Sequence, residues 1–217
     1  MEGNKKMKII NYNKTMDKNK IAKEAFKICG KAKFPVEYED VYNHLFENEK
    51  LILKLLLNDK DNLVGFGVFE NYRLFLESQI ITMLYLSGMV IEPKYQKKQV
   101  SREIIKNTYL QIQSDLISLR TQNIAMAKSL LNAFEDNLFT MPKDQTTTIV
   151  EVLKQASPFK NLDERGVIKN CYSNQLYENL KAMKDNFDVQ LNKTDALGVI
   201  IEPRKEQKVL SLFKNLK

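Results

Sequence analysis

A long apolar run that ends at a proline and leads into a helix is the feature that most constrains the fold of this chain. The run ITMLYLSGMVI, residues 81–91, is interrupted only by Ser87 and Gly88. A strand that is apolar on both faces is covered on both sides, so we expect it in the middle of a sheet flanked by helices. Pro93 ends the strand, and from Ser101 the apolar residues recur at the spacing of one helix face.

The segment VIEPKYQKKQVSREIIKN, residues 90–107, joins this strand to this helix and is typical of a turn that binds an anion. A helix start exposes backbone N–H groups, and the helix dipole adds partial positive charge there. Lys97, Lys98 and Arg102 add full charges near the same point. Phosphates bind such places through main-chain amides. An ordinary strand-to-helix turn with a solvated basic edge explains the same residues equally well.

The rest of the sequence up to residue 134 predicts further strands and helices around the central strand. We predict strands within residues 8–12, 51–58, 63–70 and 115–123, and helices over 17–30, 38–46 and 124–134. The order strand, loop, helix, strand indicates a right-handed crossover between two parallel strands. It places the loop of residues 94–101 and Thr121–Asn123 at the carboxyl ends of those strands, where a ligand crevice is expected.

The pattern weakens after residue 141. We predict strands over residues 166–172 and 196–201, and helices over 149–156, 176–183 and 209–216. No linker or low-complexity tract separates this part from the rest. The sequence therefore predicts a single domain over residues 1–217, in which residues 141–217 complete the sheet.

The composition favours an anionic partner without identifying it. Lys and Arg number 34 against 27 Asp and Glu, so the net charge is 34 − 27 = +7, and the sequence pI is about 9.2. A nucleotide cofactor, nucleic acid or a membrane surface would each suit that charge, and so would lysines on solvated faces alone. No segment is apolar and long enough to span a membrane. We expect a cytoplasmic protein with no membrane partner.

Metal and triad chemistry have little support in the sequence. Cys29 and Cys171 lie far apart and outside any C-x-x-C spacing, so we predict neither a disulfide nor a zinc site. His44 is the only histidine, which excludes multi-histidine metal sites. It falls beside the apolar face of the second helix, and we interpret it as a surface or boundary residue.

From residue 8 to residue 134 the order of elements resembles the GNAT superfamily, the Gcn5-related N-acetyltransferases. The signature of that family is Q/R-x-x-G-x-G/A shortly after a strand end, and here Ile91-Glu92-Pro93 leads into QKKQVS, residues 96–101. Gln96 matches the first signature position, Gln99 replaces the first glycine, and Ser101 replaces the final small residue conservatively. Asn123 stands where the family has an asparagine just after the fifth strand.

The resemblance implies an α+β fold of the GNAT-like acyl-CoA N-acyltransferase type, with a central mixed, mostly antiparallel sheet flanked by helices. It implies transfer of an acetyl or acyl group from acetyl-CoA (coenzyme A) to an amine of a small molecule or peptide. The backbone of Met89, Val90 and Ile91 would then bind the pantetheine arm, and the amides of residues 97–102 the pyrophosphate. The cofactor-binding residues implied in this way are Met89, Val90, Ile91, Gln96, Lys97, Lys98, Gln99, Val100, Ser101, Arg102 and Asn123.

Two details of the strand follow from the same resemblance. A bulge near Ser87 and Gly88 would splay the fourth strand from the fifth and admit the cofactor. Close packing of a helix against the sheet is the alternative explanation of Gly88. Gln99 carries a side chain where close backbone approach is usual, so it would weaken or reshape cofactor binding.

Tyr85 is the candidate catalytic residue, because relatives place a glutamate base at the comparable position of the fourth strand. A neutral tyrosine is a poor base, so Tyr85 would orient substrate or water. Aromatic packing within the sheet is the alternative that we favour for it. The tyrosine that often acts as acid is absent, since Ser129 and Leu130 occupy its place. The sequence singles out none of Glu92, Glu70 and Tyr172 as a further contributor.

Two other functions remain open on the sequence alone. A catalytically degenerate GNAT-fold binding or regulatory module would account for the missing glycines. A nucleic-acid binder would use the net charge of +7, but no helix-turn-helix, zinc finger or aromatic RNA-binding motif supports one. A homodimer is an assembly compatible with any of these functions.

Overall fold

The computed structural model describes residues 7–48, 50–76, 78–96, 99–134, 146–163, 167–172 and 190–201. The strands are β1 (Lys8–Asn11), β2 (Ile52–Leu57), β3 (Leu63–Leu76), β4 (Gln79–Ile91), β5 (Leu116–Thr121), β6 (Val167–Ile168) and β7 (Ala196–Ile201). The helices are α1 (Lys18–Lys31), α2 (Tyr38–Phe46), α3 (Val100–Ile112), α4 (Ile124–Ala133) and α5 (Thr146–Leu153), and short 3-10 turns cover Pro93–Tyr95 and Ser157–Phe159.

The strands form one mixed, seven-stranded sheet in the order β1-β2-β3-β4-β5-β7-β6. The pairs β1–β2, β2–β3, β5–β7 and β6–β7 are antiparallel. β4 has neighbours on both sides, and its residues 83–86 are all buried. The predicted fold class, with its central strand that is apolar on both faces, is therefore confirmed. None of the described helices is long and apolar enough to cross a bilayer.

The chain divides into two compact units. Unit 1 comprises residues 1–70 and 86–108, and unit 2 comprises residues 71–85 and 109–217. The chain passes from one unit to the other inside β3, inside β4 and inside α3, which are continuous elements. The single domain over residues 1–217 stays a prediction.

In unit 1, α1 and α2 pack on one face of β2 and β3. The cluster contains Ala22, Ala25, Cys29, Val41, Leu45, Phe46, Leu53, Leu55, Phe66 and Val68. Asp17 begins α1 as predicted, because its side chain accepts a hydrogen bond from the backbone N–H of Lys20 at 3.1 Å. The helix continues past the expected stop at Gly30 to Lys31, and the chain turns away at Lys33, whose φ of 56° is left-handed.

The opposite face of the same strands contacts α3 through a buried lysine. Lys54 lies between Leu53 and Leu55 in β2 and is only 1% exposed. Its Nζ donates to Oδ1 of Asn107 at 3.0 Å, and desolvation lowers the pKa of the ammonium group. Gly67 is its register partner, and a Cβ there would lie 3.1 Å from Cγ2 of Ile104. α3 therefore packs closely on this face.

Unit 2 has its own core beneath the outer part of the β3–β4 hairpin. Leu74 and Leu76 are buried, Tyr72 packs against the same cluster, and α5 covers it with Val150 and Leu153. β3 continues to residue 76 and β4 begins at residue 79, whereas the sequence predicted strands only over 63–70 and 81–91. Residues 72, 74 and 76 face the core and alternate with exposed residues, as in a strand, so the hairpin is longer than predicted.

The C-terminal part completes the sheet with two strands. β7 is the strand predicted over residues 196–201, and it pairs with β5, with Ser118 opposite Ile200. β6 covers two residues of the predicted 166–172, because left-handed Asn170 (φ 48°) turns the chain away. α5 begins and ends three residues earlier than the helix predicted over 149–156. The predicted helices over 176–183 and 209–216 lie outside the described residues.

Candidate functional site

The turn that follows β4 is anchored to the β2–β3 hairpin. The backbone N–H of Glu92 donates to the carbonyl of Val64 at 2.9 Å, which extends the pairing beyond the end of β4. The 3-10 turn Pro93–Tyr95 comes next, with Tyr95 only 5% exposed. Its hydroxyl accepts a hydrogen bond from Nδ2 of Asn58 at 3.3 Å. The turn is thus held from two directions before the chain reaches the signature residues.

Gln96, the first signature residue, closes the turn onto the end of β4. Gln96 is an exposed residue, but its side-chain Nε2 donates a hydrogen bond to the backbone carbonyl of Ile91 at 2.8 Å. Ile91 is one of the three strand residues, Met89 to Ile91, whose backbone we expect to bind a pantetheine arm. A carbonyl oxygen has two lone pairs, so this contact leaves capacity for a second donor.

Gln99 adopts a backbone conformation that normally belongs to glycine. It is exposed and has a φ of +58°, in the left-handed region that costs a residue with a side chain roughly 1–2 kcal/mol. Its carbonyl accepts from the N–H of Glu103 at 3.0 Å, which opens α3. The position that aligns with the first glycine of the GNAT signature is therefore left-handed in this chain. Lys97 and Lys98 lie outside the described residues.

The first turn of α3 gathers main-chain amides at one point. Val100 is 2% exposed and fixes the helix start in the core, while Ser101 and Arg102 are half-buried. The N–H groups of residues 100–102 precede the Glu103–Gln99 bond, so they point outward along the helix axis. A left-handed residue followed by helical ones makes a concave nest of such amides, to which the helix dipole adds partial positive charge.

A carboxylate and two lysines lie beside this turn. Glu92 is 7% exposed, and its Oε1 is 3.1 Å from Nζ of Lys94 and 3.4 Å from Nζ of Lys31. The hydrogen bond to Glu92 raises the pKa of Lys94, whose Nζ also lies 5.0 Å from the centre of the Tyr95 ring. Since the Glu92 carboxylate is engaged by two ammonium groups, its observed role is to hold the turn together.

The predicted pantetheine-binding residues of β4 lie close to β3, and Gly88, just before them, lies close to α2. A Cβ built on Gly65 of β3 would lie 3.1 Å from the carbonyl oxygen of Val90 and 3.3 Å from Cα of Ile91. A Cβ on Gly88 would lie 2.6 Å from Nε2 of His44 in α2. This contact agrees with the helix-packing explanation of Gly88. The bulge at Ser87 and Gly88, and the backbone contacts of Met89 to a cofactor, stay predictions.

Tyr85 belongs to the buried core of unit 2. It is 2% exposed, and its ring meets the rings of Tyr72 and Phe159 edge-on, with centroid distances of 6.2 and 5.7 Å. These contacts are those expected of the packing alternative. The catalytic assignment of Tyr85 stays a prediction.

Asn123 caps the helix that follows β5. Its side chain accepts from the N–H of Ala125 at 2.8 Å, and its own N–H donates to Oγ1 of Thr121 at 2.8 Å. The preceding Gln122 is 2% exposed and donates through Nε2 to the carbonyls of Lys193 and Asp195, both at 2.8 Å. The turn is therefore closed by protein side chains. A cofactor contact of Asn123 stays a prediction.

Two remaining expectations concern unit 2 and metals. Tyr172, weighed above as a contributor, places its hydroxyl 3.5 Å from the carbonyl oxygen of Arg120, and the guanidinium lies 6.0 Å from its ring centre. Among the described residues, no group of three His, Cys, Asp or Glu side chains is placed to hold a metal ion.

Comparison with known proteins identifies the fold. No family model and no curated protein matches the sequence. The ribosomal-protein-S18-alanine N-acetyltransferase from Escherichia coli is similar in structure over 94% of this chain and 97% of its own, with a TM-score of 0.52 and 12% identity. The chain has the fold of the GNAT acyltransferases.

Two other solved structures are similar over shorter stretches. A GNAT family acetyltransferase from Staphylococcus aureus matches 54% of this chain and 87% of its own, at 14% identity and a TM-score of 0.42. The aminoglycoside 6'-N-acetyltransferase AAC(6')-Ih from Acinetobacter baumannii matches 59% of this chain and 88% of its own, at 12% identity and a TM-score of 0.44.

Proposed function

We propose that this protein is an N-acetyltransferase that moves an acetyl group from acetyl-CoA to an amine of a small molecule or peptide. The observation that supports this most is the junction of β4 and α3 in unit 1. There the Gln96 side chain closes the turn onto Ile91, and left-handed Gln99 opens a helix whose first amides point outward. This local geometry suits a diphosphate, and it occurs within a GNAT fold.

The residues at this junction fit the cofactor in charge and in backbone geometry. The amides of residues 97–102 would hold the pyrophosphate, and Lys31 and Lys94, both paired with Glu92, lie next to the turn as exposed positive charges. The backbone of Met89, Val90 and Ile91 would align the pantetheine arm. When bound, acetyl-CoA would supply an acyl carbon activated as a thioester.

The contribution of the protein would then be chiefly positional. Holding an amine against an activated carbonyl removes much of the entropic barrier, and a backbone N–H aimed at the carbonyl oxygen stabilises the charge that develops there. Such groups need a fixed scaffold. β4 supplies one, because it is the central strand and Ile91, at its end, is 8% exposed.

A second candidate is a GNAT-fold module that binds coenzyme A or a related nucleotide without turnover. Two observations favour it: Tyr85 packs within the core of unit 2, and Gln99 places a side chain on the turn where a glycine would leave room. The two candidates share the binding site and differ in whether an acyl group leaves it.

The test begins with calorimetry of coenzyme A and acetyl-CoA against the full chain. Binding of both, with much weaker binding of pantetheine because it lacks the pyrophosphate, is the expected result. Absence of binding at millimolar cofactor would refute both candidates. Release of free thiol in the presence of a panel of amines would then favour the transferase, and binding without release the module. Affinity for DNA or RNA that survives excess coenzyme A would instead indicate a nucleic-acid partner.

Substitution of Tyr85 separates its two interpretations. Tyr85→Ala should lower the free energy of unfolding by about 3 kcal/mol, because it removes a ring from a packed aromatic cluster. Tyr85→Phe keeps the ring and should cost less than about 1 kcal/mol. Denaturant titration measures both changes. A fall in turnover of tenfold or more in a stable Tyr85→Phe variant would support the catalytic prediction, and full turnover would support packing.

A further inference from the structure

His44 points its ring at the backbone of the central strand. It lies in the last turn of α2 and is exposed. A Cβ placed on Gly88 of β4 would be 2.6 Å from Nε2 of His44, 3.5 Å from Cδ2 and 3.6 Å from Cε1. The order of these distances means that Nε2 is the ring atom closest to the strand. Any side chain at position 88 would occupy the space that the imidazole uses.

The helix that carries His44 is firmly held. Val41, Leu45 and Phe46, on either side of it in sequence, are all buried in the core of unit 1. The Phe46 ring packs against the rings of Tyr42 at 5.4 Å and Tyr12 at 5.3 Å. At the other end, a reciprocal capping box between Glu37 and Asp40 fixes the start of α2. The imidazole is therefore presented from a rigid element, as a reactive group requires.

The direction of β4 places His44 at the end of the site farthest from the phosphate turn. The strand runs from Gly88 through Ile91 into the turn and the start of α3. Gly88 precedes Ile91 by three residues, a rise of about 10 Å along a strand. A cofactor whose pyrophosphate lies at the helix start and whose arm follows residues 89–91 would bring its sulfur end toward Gly88.

We propose that His44 is the general base of the transfer reaction, a role that rests on the function proposed above. The amine nitrogen bonds to the acyl carbon as the carbon–sulfur bond breaks, and Nε2 of His44 accepts the proton that the nitrogen loses. The sulfur leaves as thiolate and takes a proton from water, and the imidazolium returns its proton to solvent. The products are an amide and coenzyme A thiol.

Imidazole suits this task better than the other groups considered. It exchanges protons near neutral pH, whereas the Glu92 carboxylate is paired with two lysines and Tyr85 packs in the core of unit 2. Gly88 then has a defined function, since the absence of a side chain leaves room for the imidazole ring to lie against the strand.

The first test uses the fact that the sequence has a single histidine. Diethyl pyrocarbonate applied to the untagged full chain then reports on one imidazole. At acetyl-CoA concentrations about ten times its dissociation constant, we expect carbethoxylation of His44 to slow about tenfold, because the free form is depleted to that extent. Equal rates with and without bound acetyl-CoA would overturn the proposal.

The second test is kinetic and uses an amine that the panel has shown to be accepted. His44→Gln should lower kcat by about 10²–10³, with the affinity for acetyl-CoA changed by less than about threefold. Free imidazole should restore part of the activity of His44→Ala, which a structural role would not allow. Gly88→Ala should also lose activity, since its methyl group displaces the ring. The matched control is Gly30→Ala, where an added Cβ meets nothing within 4 Å.

The outcomes distinguish this proposal from the proposed function. If the wild-type chain fails to bind acetyl-CoA, the proposed function is wrong and His44 has no such role. If it binds acetyl-CoA and His44 is unprotected, or if His44→Gln turns over an amine at the wild-type rate, only the assignment of His44 is wrong. Protection, loss of kcat and rescue by imidazole together would support it.

Discussion

Two turns in this protein do the same topological task, each leading from a buried strand into a helix, yet they are built differently. After β5, the Asn123 carboxamide caps α4 through the N–H of Ala125, and Gln122 is fixed to two carbonyls of a distant loop. After β4, the residue before α3 is Gln99, exposed and left-handed, and the Gln96 side chain turns back to the strand.

The difference lies in where side-chain polar groups are used. In the β5 turn, a side chain satisfies an amide at the helix start, so that amide is taken by the protein itself. In the β4 turn, the side chain of Gln96 bonds to the strand, and the helix start is shaped by backbone conformation. The first arrangement stabilises a helix, whereas the second accepts backbone strain and directs amides outward.

The largest expected effect tests whether the β4 turn binds an anion. Ser101→Asp places a carboxylate among the amides of the first turn of α3. At about 6 Å and an effective dielectric constant of about 20, repulsion between like charges weakens coenzyme A binding about 100-fold. Calorimetry measures the dissociation constants, and Leu110→Asp, at an exposed position of the same helix, is the matched control.

The same variant should not destabilise the protein. An acidic residue in the first turn interacts favourably with the helix dipole, by about 0.3–1 kcal/mol. Affinity and stability should therefore change in opposite directions. If Ser101→Asp binds coenzyme A as tightly as the wild type, the β4 turn does not bind the anion, and the proposed difference between the two turns is wrong.

The next effect concerns the β5 turn. Asn123→Ala removes the cap of α4 and should lower the free energy of unfolding by about 1 kcal/mol, while Asn123→Ser, which keeps a capping oxygen, should lose much less. Denaturant titration of both variants measures this. Equal losses would mean that the carboxamide matters for something other than the cap.

A smaller effect tests the strain at the start of α3. Gln99→Gly should stabilise the protein by about 0.5 kcal/mol, because relief of the left-handed conformation outweighs the added freedom of the unfolded chain. Coenzyme A should bind as well or better. Gln113, at the other end of α3, has nearly the same φ of 54°, so Gln113→Gly should give a similar gain in stability with no change in affinity.

Those two variants are compared by thermal unfolding and by calorimetry. A large loss of coenzyme A affinity in Gln99→Gly alone would show that the glutamine side chain contributes to binding. The turn would then be built differently from the GNAT signature that Gln96 and Ser101 resemble.

The smallest effect concerns the support beneath α3. Burial lowers the pKa of Lys54 in the folded state from 10.5. Keeping this buried ammonium group charged therefore destabilises the folded protein, and the full effect is present at neutral pH. As the pH rises toward 10.5, folded Lys54 releases its proton before the unfolded chain does, and the wild type gains stability. Lys54→Met should therefore be at least as stable at neutral pH, with an advantage that shrinks at alkaline pH.

Denaturant titrations at several pH values measure this trend. Lys20→Met, at an exposed position of α1, should show no such dependence. An advantage of Lys54→Met that grew with pH would contradict the direction of the pKa shift.

Local patterns in the sequence predicted the parts of the molecule that depend on local physics. The apolar run of residues 81–91 predicted a central strand, and β4 is one. The helix predicted from residue 17 begins with Asp17 as its cap, and the strands predicted over 51–58 and 63–70 are joined by a turn in which the backbone N–H of Asn58 donates to the carbonyl of Asn62. The spacing from Gln96 placed Gln99 where glycine was expected, and its backbone is left-handed.

The parts that were missed depend on distant contacts. The sequence did not predict the outer hairpin, because Phe75 and Ile80 are apolar but 58% exposed and interrupt the apolar-polar alternation of its strands. Tyr85 packs against Phe159, which no local pattern connects to it. His44 and Gly88 meet through α2 and β4, and nothing in either segment indicates that contact.

Burial of Lys54 also has a chemical consequence. Thioesters acylate accessible, unprotonated lysine amines without any enzyme, and a protein that concentrates a thioester exposes its own surface to that reaction. With Nζ hydrogen-bonded to Asn107 and 1% of the residue exposed, Lys54 is sheltered from such a reagent although its amine gives up a proton more readily than an exposed one. Its modification in an aged sample would therefore record unfolding of unit 1.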